Sequence, residues 1–238
     1  MKKISAIDRI RHALADPSET RFNLNHFYAE GPWVVATDGH RLAALQTKNN
    51  INPGVCVDPE TGEAKALDYP DFRKVVPIGE GPLGIIFINR LEWVKLLTEI
   101  RRDDRLVGYH HTDRSCIQIS FDDGIVNVCK PAHAYLLREY EYKWTGKGHN
   151  YKLQSGDVRK VDGNTQDFPY GTIKARTTGA GSFLVDARYL LDALNSITSD
   201  CQLAFFDERK PLLLTKQGAR LDDLNHLKGF EIVMPMKK

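Results

Sequence analysis

The chain has 238 residues, of which 42% are hydrophobic and 27% charged, a composition typical of globular proteins and unlike that of disordered chains. Lys and Arg number 33 against 31 Asp and Glu, so the formal net charge of +2 excludes a strong overall attraction to nucleic acid. The longest apolar runs, such as 83–88, are only as long as a strand, which excludes a membrane-spanning helix. We expect a cytoplasmic protein, because the first residues lack a signal-peptide apolar region and the four cysteines lack CxxC spacing.

The first elements along the chain are predicted to be a helix and a hairpin. Apolar residues recur on one helical face over residues 5–15, and Pro17 would end this helix, because proline disfavours helical geometry in the residue before it. Two apolar runs follow, at 21–28 and 33–36. The glycine and proline within 29–32 favour a turn, so we expect the two runs to pair as an antiparallel hairpin.

The order strand, helix and hairpin then occurs in a second unit. Residues 85–88 are predicted to form a strand, and Asn89 can cap the helix that follows it. The apolar stripe of this helix consists of Trp93, Leu96, Leu97 and Ile100. Alternating apolar residues on either side of 122–124 predict the hairpin.

A third unit has the same order. Residues 182–185 are predicted to form its strand, and Asp186 caps a helix with Leu190, Leu194 and Ile197 on its buried face. Its hairpin is expected at 202–214. A repeated unit of helices and antiparallel hairpins predicts the α+β class.

Two polar stretches rich in Gly, Asn, Asp and Lys separate the units. We interpret residues 48–67 as a linker between domains. Residues 143–181 are longer than most loops, so we expect this stretch to contain some strand of its own or a mobile insertion.

One polar cluster has the residue types of a catalytic site. Asp38, His40 and Arg41 provide an acid, a base and a cation directly after a strand. No nucleophile or phosphate-binding motif accompanies them in the sequence, so we interpret the cluster as a turn and expect no enzyme activity. The adjacent histidines at 110–111 would point to opposite faces of a strand, and we therefore expect no metal and no cofactor.

Three segments of the sequence carry a resemblance to a known family. They are 35–43, which reads VATDGHRLA; 69–77, which reads YPDFRKVVP; and 230–237, which reads FEIVMPMK. In this order they resemble a signature of the middle domain, the segment between the middle and last domains, and the carboxyl end of the bacterial sliding clamp, the beta subunit of DNA polymerase III. Three matches in the right order make the resemblance specific.

The resemblance implies a DNA-clamp fold, in which repeated strand-helix-hairpin units place antiparallel sheets outside and helices inside a ring. Clamps of this family have three domains in each chain, and this sequence resembles only parts of the second and third. We expect residues 1–66 to resemble the first half of the middle domain, 67–81 to form the inter-domain segment, and 82–238 to form a complete last domain.

The resemblance also implies a binding pocket. In the family, a hydrophobic pocket between the middle and last domains binds peptide motifs of DNA polymerases, the clamp loader and repair proteins. Lys74 stands where the family commonly has arginine, which keeps the charge and loses the planar fork. The positions that match this pocket are Thr37, Gly39, His40, Arg41, Leu42, Pro70, Lys74, Val75, Ile232, Val233, Met234, Pro235 and Met236.

The family further implies duplex DNA as a partner, bound without sequence preference. Cations on the helices outside their apolar stripes are the candidates for phosphate contacts, namely Arg9, Arg11, Lys95, Arg101, Arg102 and Arg188. Clamp rings contain twelve units, so three units in each chain imply a homo-tetramer, and a further unit within 143–181 would imply a trimer. The alternative function is that of a clamp-like regulator or decoy, which binds clamp-interacting peptides without forming a ring.

Overall fold

A long antiparallel hairpin begins the larger sheet of the protein. The computed structural model describes residues 7–18, 23–106, 116–130, 141–144, 151–154 and 168–236. Strand β1 (Phe27–Thr37) pairs with β2 (Arg41–Val57), and the pairing shifts register on either side of Gly31. The turn predicted at 29–32 is therefore wrong, since these residues form an irregularity inside β1. An edge strand tolerates Pro32 there, because proline lacks the N–H that a central strand would donate to a neighbour.

The predicted linker also contains regular structure. Strand β2 continues to Val57, and β3 (Ala64–Lys65) pairs with its end. The interpretation of 48–67 as an irregular stretch is thus wrong for most of its length. In this part of β2, Ile51, Val55, Cys56 and Val57 pair with β1, and the polar residues, Pro53 and Gly54 between them hide the strand from a search for apolar alternation.

The helix predicted at 5–15 is replaced by two short 3₁₀ turns, Ile7–Arg9 and Arg11–Ala13. Ile10 and Ala13 are buried between these turns and the first hairpin. A 3₁₀ helix has three residues per turn, so side chains three apart lie on the same side. The spacing of Ile10 and Ala13 fits this geometry, and the α-helix prediction was wrong for the described part of the segment.

Two helices and the remaining strands follow within the described residues. In chain order they are β4 (Gly84–Ile88), α1 (Arg90–Leu106), β5 (Cys116–Asp122), β6 (Ile125–Lys130), β7 (Glu141–Trp144), β8 (Tyr151–Gln154), β9 (Phe168–Lys174), β10 (Thr177–Gly179), β11 (Gly181–Asp186), α2 (Ala187–Ser196), β12 (Cys201–Phe205), β13 (Leu212–Lys216) and β14 (Gly229–Val233). The second and third predicted units, each a strand, a helix and a hairpin, are confirmed. The strand expected within 143–181 is confirmed as well. The caps are confirmed as well: the Asn89 side chain accepts a hydrogen bond from the Glu92 N–H, and Asp186 accepts one from Arg188.

The strands form two main antiparallel sheets. The larger has the order β1-β2-β14-β13-β12-β4-β10, with β3 beside β2, and the smaller has the order β11-β5-β6-β9. Strands β7 and β8 pair only with each other among the described residues. The fold is therefore of the predicted α+β class, and no helix of the described residues is long and apolar enough to cross a membrane.

The core lies on both faces of the larger sheet. One face packs with the smaller sheet against α1 and α2, where Trp93, Leu97 and Leu194 are fully buried. Alternate residues of the same strands, such as Leu213 and Ile232, form a second cluster on the opposite face. The helices therefore cover one side of the larger sheet, and the segments after β3 and β13 cover the other.

The strands also define two ends of the molecule. Strand β10 ends the larger sheet and continues through one residue into β11, the edge of the smaller sheet. At this corner Gly179 has a φ of +67°, and a Cβ there would lie 2.1 Å from the Leu83 carbonyl oxygen. The strand path thus runs from β1 at one end to β9 at the other, and each of these two strands pairs with a single neighbour among the described residues.

Candidate functional site

A tight turn joins β1 to β2 at the first of the three segments that carry the resemblance. The Asp38 carboxylate accepts hydrogen bonds from the backbone N–H groups of His40, at 2.9 Å, and Arg41, at 3.0 Å. Gly39 has a φ of +85°, a conformation that favours glycine. The Thr37 hydroxyl donates a 2.6 Å hydrogen bond to the Arg41 carbonyl oxygen and closes the turn. Asp38 is thus used in turn formation, as the sequence predicts.

The structure places the last strand directly beside this turn. In the pairing of β14 with β2, Ile232 lies opposite Leu42 and Val233 lies opposite Arg41. The N–H of Met234 then donates a 3.0 Å hydrogen bond to the His40 carbonyl oxygen. Two segments from opposite ends of the sequence therefore form one continuous surface.

The remaining segment, 69–77, reaches the same surface through Phe72. Asp71 caps the 3₁₀ turn Phe72–Val75, and Phe72 is buried in the cluster that contains Leu42 and Ile232. Just before this turn, Tyr69 stacks on Tyr28 with 4.7 Å between ring centroids, and burial raises the pKa of the Tyr69 phenol. These aromatic residues fix the segment, whereas Pro70, Lys74 and Val75 are exposed at the surface.

Exposure separates the predicted pocket residues into two groups. Four of them are buried beneath the surface: Thr37, Leu42, Ile232 and Val233 are each less than 9% exposed. The residues that a partner can contact without rearrangement are exposed or half-buried, namely Gly39, His40, Pro70, Lys74, Val75, Met234, Pro235 and Met236. Val75 is 41% exposed, an unusual degree for a β-branched apolar side chain.

Arg41 lies between these groups and is held by several partners. Its guanidinium lies 3.1 Å from an Asp38 oxygen and 2.6 Å from an Asp192 oxygen, and its side chain is 13% exposed. It also lies over the Tyr189 ring, 4.6 Å from the centroid. These contacts connect the turn to helix α2.

Sequence reasoning missed Tyr189 and Asp192 as residues of this site. The ring of Tyr189 also stacks near His40, with 6.1 Å between centroids, and burial raises the pKa of its phenol. Asp192 is 151 residues from Arg41 in sequence. Their only signal in the sequence is a position on the predicted third helix, because contacts over such separations depend on the tertiary fold.

Two cavities are present among the described residues, and one of them adjoins this surface. It measures about 490 Å³ and is lined by Asp38, Arg41 and Tyr189 together with residues of 11–17 and of the loop after β2. The other, of about 500 Å³, is lined by Ile85, Phe87 and neighbouring residues. Neither is lined by Met234 or Val75, so a peptide would meet those two side chains outside both cavities.

The candidate DNA-binding cations have different environments. Arg11 forms an ion pair with Glu60 at 2.7 Å, and Arg188 pairs with Asp186 at 2.7 Å, a hydrogen bond that raises the pKa of Arg188. Lys95 and Arg102 are both exposed on α1 and lie seven residues apart, on the same side of the helix. Arg101 is half-buried on a flank of α1, and Arg9 is exposed on the first 3₁₀ turn.

The sequence contains one pair of histidines that we considered as metal ligands and rejected. His110 and His111 lie outside the described residues. Within the described ranges, no group of three or more His, Cys, Asp or Glu side chains is arranged to hold a metal ion.

Comparison with solved structures identifies the fold. A DNA polymerase sliding clamp from Caulobacter crescentus has a TM-score of 0.65 at 18% identity, over 98% of this chain and 62% of that one. The DNA polymerase III subunit beta from Pseudomonas aeruginosa has a TM-score of 0.64 at 17% identity, over 98% and 63%. A sliding clamp from Bacillus subtilis has a TM-score of 0.65 at 16% identity, over 98% and 62%.

These likenesses confirm the fold that the three sequence segments implied. The chain has the fold of bacterial sliding clamps and spans about 62% of the length of the solved chains that it matches. No protein-family model and no curated protein matches the sequence.

Proposed function

We propose that this chain, which has the fold of bacterial sliding clamps, is a non-enzymatic processivity factor. In this proposal it encircles duplex DNA and tethers a polymerase, and in turn a clamp loader, through the surface formed by the β1–β2 turn and the residues after β14. The observation that carries the proposal is the hydrogen bond from the Met234 N–H to the His40 carbonyl oxygen, which joins the residues after β14 to that turn in a clamp fold. Tethering acts through effective concentration, because a polymerase held beside its template rebinds before it diffuses away.

The proposal keeps the domain assignment that the resemblance of the sequence implies. Residues 1–66 correspond to part of a middle domain, 67–81 to the inter-domain segment and 82–238 to a last domain. The pairing of β14 with β2 supports a rigid connection, because one sheet then continues from the first part into the last. The proposed partner surface lies where these parts meet.

The two ends of the strand path provide a route to ring closure. Strands β1 and β9 each pair with a single neighbour among the described residues, and exposed sheet edges readily pair with strands of another chain. Pairing β9 of one copy with β1 of the next is a head-to-tail contact, and repetition of that contact closes a ring if the rotation fits. Three units in each chain would close a ring of twelve units with four copies, and a further unit within 143–181 would close it with three.

DNA contact in this ring would be weak and dependent on salt. Helix α1 carries five cations, Arg90, Lys95, Arg101, Arg102 and Arg105, against four acids, Glu92, Glu99, Asp103 and Asp104. Loose contacts of this kind suit sliding, because phosphate contacts carry no sequence information. Four of the six candidate cations are exposed, namely Arg9, Arg11, Lys95 and Arg102, and of these Lys95 and Arg102 lie on the same side of α1.

A second function has specific support. Arg11 and Arg188 already pair with acids of the same chain, and α2 carries one Arg and one Asp and therefore no net charge. A weakly charged helix surface suits a regulator or decoy that binds clamp-interacting peptides without encircling DNA. Both functions use the same partner surface and differ in ring closure.

Topological retention on DNA separates these two functions. The protein is diluted until it dissociates, mixed with nicked circular plasmid and concentrated, so that any ring assembles around the DNA without a loader. The clamp proposal predicts retention on the circle in salt that abolishes ordinary binding, and release when the plasmid is cut once. Equal loss from circular and linear DNA, with peptide binding intact, would support the decoy.

A charge variant tests the DNA-facing side of α1. Replacing Lys95 and Arg102 together by alanine should reduce the slope of log affinity against log salt by about two for each chain in contact with DNA. Lys216→Ala, at the exposed end of β13, is the control and should leave the slope unchanged. An unchanged slope in the double variant would contradict the assignment of these two cations.

A further inference from the structure

A buried carboxylate connects three parts of the chain at the helix side of the larger sheet. Glu231 lies on β14, opposite Ala43 of β2, and its side chain is 4% exposed. One of its oxygens contacts the hydroxyl of Ser196, the last residue of α2. The other lies 3.2 Å from Nε2 of His12, in the second 3₁₀ turn. A buried carboxylate with a histidine partner from a separate segment requires a charge balance.

The hydrogen-bond geometry fixes where the protons are. Nδ1 of His12 lies 2.9 Å from the carbonyl oxygen of Arg9, and a carbonyl oxygen only accepts, so Nδ1 carries a hydrogen. In a neutral imidazole Nε2 then has a lone pair, which would face the lone pairs of an ionised Glu231. Their 3.2 Å contact therefore needs one further proton, carried either by His12 or by Glu231.

We propose that one proton shared by His12 and Glu231 latches residues 7–14 onto β14, and that loss of this proton releases the segment from the sheet. With the proton, the pair is neutral overall. Without it, a buried carboxylate faces a bare nitrogen, and its other partner among the described residues is the Ser196 hydroxyl, whose one hydrogen can also be donated to the Ala193 carbonyl oxygen at 2.8 Å. Removing the compensation of a buried charge is strongly destabilising, so the contact opens.

The groups around the pair affect the pKa of both His12 and Glu231, and the pKa of each is raised. Burial alone would lower the pKa of His12, but the hydrogen bond and negative charge of Glu231 outweigh it and raise the pKa above the usual 6.5. Burial raises the pKa of Glu231 despite the opposing effect of His12. Arg41 of β2 acts against the protonation of His12, but its charge is balanced by Asp38 and Asp192.

The other contacts of the described part of the segment are made with the first hairpin and with residues beside it, and not with β14. Ile10 and Ala13 pack against the first hairpin, and the Ala15 N–H donates to the Leu24 carbonyl oxygen at 3.1 Å. Arg11 contributes an ion pair with the exposed Glu60. Opening would uncover Ile10 and Ala13 and leave the paired strands in place.

The sign of the pH effect follows from proton linkage. The open segment has a histidine of ordinary pKa, near 6.5, whereas the latched histidine has a raised pKa. The latch is therefore fully effective below pH 6.5 and weakens as the pH rises toward the latched pKa. In that interval the opening constant rises up to about tenfold for each pH unit, as expected for one proton.

Hydrogen exchange of the full chain between pH 6 and pH 9 tests the latch. The amides of Ala13, Leu14 and Ala15, corrected for the intrinsic pH dependence of exchange, should show an opening constant that increases above pH 6.5. Two variants should make it independent of pH: His12→Gln, whose amide donates without titrating, and Glu231→Gln, which donates to a neutral histidine. His226→Gln, at an exposed histidine paired with Asp222, is the matched control and should behave as wild type.

Proton NMR of the His12 ring provides the second measurement. The pKa should exceed 6.5 in the wild type and fall below 6.5 in Glu231→Gln, because burial then acts without the carboxylate. An opening constant in the wild type that does not change with pH would overturn the proposal. So would the wild-type pH dependence persisting in His12→Gln, or a His12 pKa unaffected by Glu231→Gln.

Discussion

At the residue scale, the side chains around the β1–β2 turn divide into buried ones that support the fold and exposed or half-buried ones that form the proposed partner surface. Leu42 and Ile232 are 3% and 1% exposed, and both belong to the cluster that contains Phe72 and Phe230. Met234 packs at the margin of that cluster and is half-buried. Its unbranched thioether suits a surface that adapts to different apolar partners.

This division determines which substitution tests the peptide surface. Met234→Ala should weaken binding of a clamp-interacting peptide about tenfold, which corresponds to about 1.4 kcal/mol, while the chain remains folded. Ile125→Ala is the matched control, because Ile125 is 47% exposed on the smaller sheet and should not affect the peptide. Isothermal titration with both variants measures the difference, and equal affinities would contradict the placement of the surface. Leu42→Ala is unsuitable, because truncating a core leucine costs about 2–5 kcal/mol of stability.

The turn itself depends on one glycine. Gly39→Ala should lower the free energy of unfolding by about 1–2 kcal/mol, because an L-residue is strained at a φ of +85° although no atom lies within 4 Å of the added Cβ. Gly218→Ala is a matched control, since Gly218 has a φ of +79° and equally open surroundings. Both variants should lose similar stability in urea denaturation, and only Gly39→Ala should lose peptide affinity. A loss of affinity in both would contradict a specific role for the turn.

At the element scale, helix α2 holds the turn through Arg41. The guanidinium contacts Asp192 on α2 and lies over Tyr189, while Arg188 lies over the same ring from 5.8 Å. Residues after β14 are tied to the same region, because the Met236 N–H donates to the Leu184 carbonyl oxygen at 2.9 Å. The proposed partner surface is therefore held by contacts with β11 and α2 as well as by the pairing of β2 with β14.

Asp192→Asn tests this attachment. The partly buried Arg41 would keep Asp38 and lose its other charged partner, so the free energy of unfolding should fall by about 1–3 kcal/mol. Asp222→Asn, in the exposed pair with Arg220, is the control and should cause a much smaller loss, because water screens that pair. Equal losses in thermal or urea denaturation would indicate that Arg41 does not depend on α2.

The elements that the sequence predicts correctly are those with a strong local pattern. The hairpin of β5 and β6 has alternating apolar residues and a turn at Asp123–Gly124, and α2 has both a cap and an apolar stripe. The end of β2 was missed because its strand character comes from backbone pairing with β1. The contact of Arg41 with Asp192 was missed because no local pattern connects residues 151 positions apart. The sequence picked out three segments that the fold brings together, and the relative burial of their side chains required the tertiary structure.

At the scale of the whole molecule, the strand path and the charge distribution determine what the protein can assemble with. Among the described residues the path ends at β1 and β9, each of which pairs with a single neighbouring strand. The net charge of +2 gives little long-range attraction to DNA, so topological enclosure would have to provide the retention that charge does not. Ring closure is thus the property on which the clamp proposal depends most.

The measurement that tests this property most directly is the native mass of the full chain in solution, from nanomolar to high micromolar concentration. A head-to-tail ring predicts one discrete species of four chain masses, or of three if a further unit is present, with dissociation only on dilution. A monomer at every concentration would contradict ring closure, and open-ended growth in mass would contradict a contact whose rotation closes.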